Sequence, residues 1–325
     1  MKYLITGGAG FIGSHLAGRL LRLGHSVTVV DDFSTGSFDN IREFEQDMPD
    51  RFVLVKGSVC DQALMDSLIA DCDGVYHLAA AVGVQLILDK PVHTLETNIH
   101  GSEVVMKLAS EHKKKILIAS TSEVYGKGAR IPFAEDDDVL LGATRFNRWG
   151  YAASKMVDEF LALAYHEEFG LDVIICRFFN TVGPRQTGKY GMVIPRFVEK
   201  ALRGETVEVY GTGEQSRCFC HVGDVTKAIT DLWDCTKAIG QVVNIGSDEE
   251  ISMNDLAERV IELTGSASKI EHISYRQAYG RDFDDMMVRK PDLTKLGDLI
   301  GYKPGTKLDR TLEDVISHFR MLAKM

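Results

Sequence analysis

The segment Thr6-Gly7-Gly8-Ala9-Gly10-Phe11-Ile12-Gly13 stands between a short apolar run, residues 3–6, and a stretch with apolar residues at helical spacing, residues 12–23. Glycines at 7, 10 and 13 constrain the chain more than any other feature. Only residues without side chains let a strand turn this tightly into a helix and let the backbone approach a bound group. The N–H groups and positive end of that helix suit a pyrophosphate. Glycines alone also describe an ordinary tight turn; the flanking strand and helix, and the acids that close the second strand, strengthen the dinucleotide reading. Those acids are Asp31 and Asp32, after the run 27–30. A carboxylate there accepts hydrogen bonds from the adenosine ribose and repels a 2′-phosphate, so the expected cofactor is NAD, with Asp31 in that role.

Short β-branched runs alternate with helical stretches up to about residue 178. Strands are expected at 3–6, 26–30, 52–56, 74–78, 115–120 and 173–178, and helices at 12–23, 62–70, 94–111 and 151–169. The continuous apolar character of the strands fits a parallel sheet covered on both faces. The predicted fold is α/β: a Rossmann-type doubly wound parallel sheet with a smaller α/β substrate-binding lobe. Residues 1–178 form the expected NAD-binding domain, and 219–247 return to it as a helix and a strand. Residues 179–218 and 248–325 are assigned to the smaller lobe, where Gly and Pro interrupt the pattern.

Composition narrows the class. With 47 acidic and 37 basic residues among 325, the formal charge of −10 argues against a phosphate-backbone surface, so nucleic acid is not an expected partner. No run approaches the roughly 20 apolar residues of a membrane span. The opening residues lack the regions of a secretory signal, from which a cytoplasmic home is expected. Six scattered cysteines then read as reduced thiols. Cys218, Cys220 and His221 lack a second ligand pair at zinc spacing, so no metal is expected, and both cysteines are expected on one face of a strand in the core. Lys113–Lys115 reads as a solvated helix end.

Tyr151-Ala152-Ala153-Ser154-Lys155 opens a helix, and the i,i+4 spacing places phenol and ammonium on one face. A tyrosine, ordinarily titrating near ~10, serves as a base near neutrality when a neighbouring cation stabilises its phenolate. Lys155 is the expected cation, although such a pair is also common on surfaces. Ser120-Thr121-Ser122-Glu123 ends a strand, and the carboxyl ends of strands carry the ligand site in an open parallel sheet.

Taken together these motifs resemble the extended short-chain dehydrogenase/reductase family of nucleotide-sugar epimerases, dehydratases and decarboxylases. Asn98 in Thr-Asn-Ile-His-Gly, the stretch from Arg177 to Arg185 and the stretch from Val209 to Arg217 match as well. The resemblance implies a cofactor site of Gly7, Gly10, Phe11, Ile12, Gly13, Asp31, Ser58, Val59, Leu78, Ala79, Ala80, Asn98, Tyr151 and Lys155. Ser58 departs from the pattern, since relatives usually carry an acid there. For the substrate it implies Thr121, Ser122, Glu123, Asn180, Arg185, Val193, Arg217 and Arg289. Thr121 would polarise the sugar O4, and Asn180 and Arg217 would hold the nucleotide diphosphate. It also implies a homodimer through a four-helix interface.

The shared first step is removal of the O4 proton while hydride leaves C4. Glu123 argues against a plain epimerase without separating decarboxylase from dehydratase. The segment from Tyr279 to Asp292, with Arg289-Lys290-Pro291, resembles the C-terminal segment of UDP-glucuronate decarboxylases, and Phe283 stands where such a relative has tyrosine. A guanidinium at Arg289 can pair with a sugar carboxylate. The expected catalytic set is Tyr151, Lys155, Thr121, Glu123 and Arg289, acting in decarboxylation of UDP-glucuronate. The alternatives are a UDP-sugar 4-epimerase, a 4,6-dehydratase and a non-catalytic NAD-sensing protein.

Overall fold

The computed structural model describes residues 1–128, 130–189, 191–280 and 283–323. Arg281 and Asp282 of the C-terminal segment lie outside the described residues. The first half of the chain lays down β1 (Lys2–Thr6), β2 (Ser26–Asp31), β3 (Phe52–Lys56), β4 (Gly74–His77), β5 (Lys115–Thr121) and β6 (Val173–Phe178). The intervening helices are α1 (Phe11–Arg22), α2 (Arg42–Asp47), α3 (Gln62–Ala70), α4 (Val84–Asp89), α5 (Pro91–Glu111) and α6 (Arg148–Phe169). Then come β7 (Thr181–Val182), α7 (Val193–Leu202), β8 (Val207–Tyr210), β9 (Ser216–Cys218), β10 (Cys220–His221), α8 (Val222–Asp234) and β11 (Gln241–Ile245). The last quarter holds β12 (Glu250–Ser252), α9 (Met253–Thr264), β13 (Ile270–Ile273), α10 (Tyr275–Tyr279), β14 (Val288–Arg289), α11 (Thr294–Ile300) and α12 (Leu308–Leu322).

Seven strands of the described residues form one sheet in the order β11-β6-β5-β4-β1-β2-β3, all parallel. Successive side chains leave opposite faces. Leu4, Val30, Val75 and Ile116 therefore pack with α3, α5 and α6, while Ile5, Val29 and Val243 pack with α1 and α8. Both faces are buried, which is why these strands read as unbroken apolar runs. A third cluster packs α7, α9 and α12 around Val207 and Val209 of β8.

Two helices begin a turn earlier than periodicity indicates. α5 starts at Pro91, whose fixed φ suits the first turn. α6 starts at Arg148, which puts that arginine three residues before Tyr151, on one helical face with it. The expected shared strand of Cys218 and Cys220 is corrected. β9 pairs with β12 and β14, whereas β10 pairs with β7, so the thiols belong to different sheets and Cys220 Sγ lies 3.4 Å from the Tyr302 hydroxyl. Strands of two or three residues are too short for a period-2 pattern to register their breaks.

Candidate active site

All strands of the main sheet present their carboxyl ends to one edge, and the order reverses between β1 and β4. A crevice opens at such a switch point. Here it is one cavity, running from Gly10, Asp31 and Ser58 past Thr121 and Tyr151 to Arg217 and Tyr275.

At the β1 end, Gly7 has φ +70°, and a Cβ there would lie 2.9 Å from the Ala79 backbone. A Cβ on Gly13 would meet the Gly7 carbonyl at 2.3 Å. The glycines thus let the turn close and leave the start of α1 open to the cavity. Asp31 is buried at the end of β2 and accepts hydrogen bonds from the N–H groups of Ala9 (2.9 Å) and Phe33 (2.8 Å). Burial pushes its carboxyl up, against the pull of those N–H donors. Asp32 is exposed and accepts from Ser34 N–H. Phe11, Ile12, Ser58, Val59, Leu78, Ala79 and Ala80 complete this wall. The turn, the inner carboxylate and the apolar strip fit an NAD-type dinucleotide.

Asn98 requires a correction, because it stands behind the wall. It is buried, accepts from Ala81 N–H at 2.7 Å and donates to Ser154 Oγ at 3.3 Å. It braces the loop after β4 against α6, so its effect on a ligand runs through that loop.

At the centre, α6 and the end of β5 meet. The Tyr151 phenol and the Thr121 side chain line the cavity side by side. Lys155 lies one turn along and is buried, with Nζ donating to Asp158 Oδ2 at 2.6 Å. Burial, then the charge of Glu123, hold Tyr151 well above the ordinary tyrosine range, with Asp158 adding to the rise. The ammonium is matched by an acid that the Tyr/Lys spacing did not bring to notice, although Asp158 stands at i+3 from the lysine.

Beside Tyr151 lies a cluster of charges. Glu123 receives the fork of Arg148, from Nε at 3.0 Å and Nη2 at 2.9 Å to Oε2. Arg148 Nη1 reaches on to Asp285 at 2.6 Å. Asp285 also accepts from Arg217 at 3.0 Å and from the Tyr275 hydroxyl at 2.6 Å. Arg289 Nη1 lies 2.6 Å from Glu123 and 3.4 Å from Ser122 Oγ. Its Nε is buried with no hydrogen-bond partner among the described residues. Despite burial, Arg148 and then Arg289 hold Glu123 below the usual carboxylate range. Burial brings Arg289 down to about 10, still a cation at neutral pH. Three guanidiniums thus face two carboxylates, a surplus of one positive charge among the described residues.

Toward the far end, Val193 opens α7 on the cavity wall and Asn180 donates to the Cys218 carbonyl at 3.2 Å. Arg185 borders the cavity, but its guanidinium pairs with Glu43 at 2.6 Å and lies over Phe44, which packs on Gly18 of α1. That places its guanidinium on the side of the cavity nearest α1. Sequence reading passed over Asp285 and Tyr275 as contributors, and Arg196, which stacks 3.7 Å from the Tyr210 ring centre. The one available signal was the i−3 spacing of Arg148 from Tyr151.

A glycine turn feeding a parallel sheet, with a Tyr/Lys helix facing Thr121, defines an enzyme of the extended short-chain dehydrogenase/reductase group that acts on nucleotide-sugars. Within it, the model of the GDP-mannose 4,6-dehydratase family matches residues 4–315, and the chain belongs to that family. It is 42% identical over 320 residues to UDP-N-acetyl-alpha-D-glucosaminuronate decarboxylase of Bacillus cytotoxicus, covering 98% of each chain. With UDP-glucuronic acid decarboxylase 1 of Xenopus tropicalis it shares 35% identity, over 98% of this chain and 72% of the relative. Among solved structures, UDP-glucuronic acid 4-epimerase of Bacillus cereus, in complex with UDP-glucuronic acid and NAD, superposes with a TM-score of 0.88 at 27% identity. That match covers 99% of this chain and 100% of the other.

Proposed function

We propose that this chain is an NAD-dependent decarboxylase of UDP-linked uronic acids. The observation that carries the reading is Arg289, buried beside Glu123 near Tyr151 with its Nε unpartnered among the described residues. A buried guanidinium donor left unpaired is costly unless a ligand brings an acceptor, and a sugar carboxylate is such an acceptor. NAD, when bound, supplies the hydride acceptor. Tyr151 takes the proton of the C4 hydroxyl, Thr121 holds that oxygen, and Lys155 stabilises the phenolate. Once C4 is a ketone, the C5–C6 bond breaks, its electron pair moves toward the carbonyl, CO₂ leaves and C5 takes a proton. Asn180 and Arg217 would hold the diphosphate.

Two substrates share the required carboxylate, UDP-glucuronate and UDP-N-acetylglucosaminuronate, and the names of the two decarboxylase relatives support testing both. Incubation with each should release CO₂ and yield a UDP-pentose or its 4-keto form. A C4-inverted product that keeps all its carbons would instead establish a 4-epimerase, a reading favoured by the likeness to the Bacillus cereus structure.

The glycine turn makes a separate prediction. Gly13→Ala puts a methyl group 2.3 Å from the Gly7 carbonyl, and overpacking of this kind costs about 1–3 kcal/mol. NAD affinity measured by titration calorimetry should fall roughly tenfold.

The assembly proposed is a homodimer through α5 and α6. Val92 (66% exposed), Leu95, Val157 and Phe160 (68% exposed) leave an apolar strip on these packed helices, of the kind that marks an interface. Phe160→Glu should convert a dimer to a monomer in light-scattering chromatography; unchanged mass would remove this interface. Among the described residues no helix is long and apolar enough to cross a membrane, and the six cysteines are unpaired. Both features support a place in the reducing cytoplasm.

A further inference from the structure

We propose that Arg148 is a positioning residue: by occupying Glu123, it keeps Arg289 available to the substrate carboxylate. The inference rests on the carboxylate-bearing substrate proposed above. Glu123 and Arg289 are natural partners, buried together at 2.6 Å. If each were the other's only counter-ion, a fork-to-carboxylate pair would use the donors that a ligand needs. Instead the fork belongs to Arg148, whose Nε and Nη2 both reach Glu123 Oε2, with Nη2 also 3.2 Å from Oε1. Arg289 touches Glu123 through Nη1 and keeps Nε without a partner among the described residues.

Arg148 is itself fixed on several sides. Nη1 is held by Asp285 and by the Asp284 carbonyl at 3.0 Å, and the guanidinium lies over the Trp149 and Phe283 rings. It therefore cannot follow Glu123 if that carboxylate turns toward Arg289. Asp285 is shared by Arg148 and Arg217, and at the other end of the cluster Arg289 alone has a buried guanidinium nitrogen, Nε, left without a partner among the described residues. The arrangement makes a carboxylate at C5 a condition of tight binding. A neutral hexose leaves Arg289 Nε without an anionic partner.

The test compares dissociation constants for UDP-glucuronate, UDP-glucose and UDP, each with NAD present and with Tyr151→Phe in every protein to halt turnover. The parent should bind UDP-glucuronate more tightly than UDP-glucose. Arg148→Met should let Arg289 collapse onto Glu123 and reduce that preference by roughly tenfold or more, beyond any change shared by UDP-glucose and UDP through Asp285 and Arg217. Arg148→Lys, which keeps charge and loses the fork, should fall between. Adding Glu123→Gln to Arg148→Met removes the competing anion and should restore the preference, an outcome that a loss of packing cannot produce. Should Arg148→Met fail to fold, the Arg148→Lys protein and its Glu123→Gln double variant carry the same comparison. A full preference in the folded Arg148 variants, or no recovery in the double variants, overturns the positioning role. Absence of any preference in the parent overturns the uronate reading itself, and the positioning role with it.

Discussion

Replacing Tyr151 by phenylalanine will abolish nearly all turnover while leaving the fold and NAD binding intact. We assign the O4 proton to this phenol because it is buried on the cavity wall beside Thr121. A positioned general base contributes about 10²–10⁴-fold, so a loss of at least 10²-fold is expected in both NADH formation and product release. Thermal melting should move little, because only a hydroxyl is removed. The pH dependence carries the same signature. Burial and Glu123 push the phenol up, and the reactive form is the phenolate, so the wild-type rate must rise with pH as the proton leaves. A Tyr151→Phe protein that turns over at more than a tenth of the wild-type rate would remove the phenol from the role of base, whereas biological activity unchanged by the substitution would favour the non-catalytic NAD-sensing alternative.

Arg289→Gln has the second large effect. The wild-type guanidinium is buried beside Glu123 and is the cation nearest Ser122 at the sugar end. Truncating one partner of a buried charge pair costs about 2–5 kcal/mol, which corresponds to roughly 10²-fold or more in kcat/KM for the uronate substrate. The fold should survive, because Arg148 still satisfies Glu123. CO₂ release from labelled UDP-glucuronate measures the effect. Wild-type kcat/KM in this variant would falsify the carboxylate assignment, whereas a loss confined to kcat would move Arg289 from binding to protonation at C5.

Much of this protein was legible before folding. The six β/α steps could be located because their signals are local: apolar runs of strand length, helical periodicity, and glycines where backbones must touch. The expected strand 52–56 and helix 62–70 recur with the same limits. Tyr151 and Lys155 could be paired for the same reason, since a helix alone brings i and i+4 together.

Other features were hidden by distance along the chain. Arg148 meets Glu123 across 25 positions and Asp285 across 137, and no periodicity encodes such partners. The pairing of Lys155 with Asp158 was within reach of helical spacing, yet whether it forms depends on burial of both residues between α6 and the sheet. Asn98 and Arg185 show the converse. Their motif positions suggested ligand contact, and only the packed chain turns one behind the wall and the other onto Glu43.

Amino-acid order alone thus carried the signals of the strands, the dinucleotide turn and the proposed reactive phenol, each written within a few residues. The cluster of charges among the described residues, to which we assign a carboxylate-bearing sugar, exists only after folding. It depends on which acid answers which guanidinium, and chain segments far apart in sequence settle that choice when water is excluded from between them.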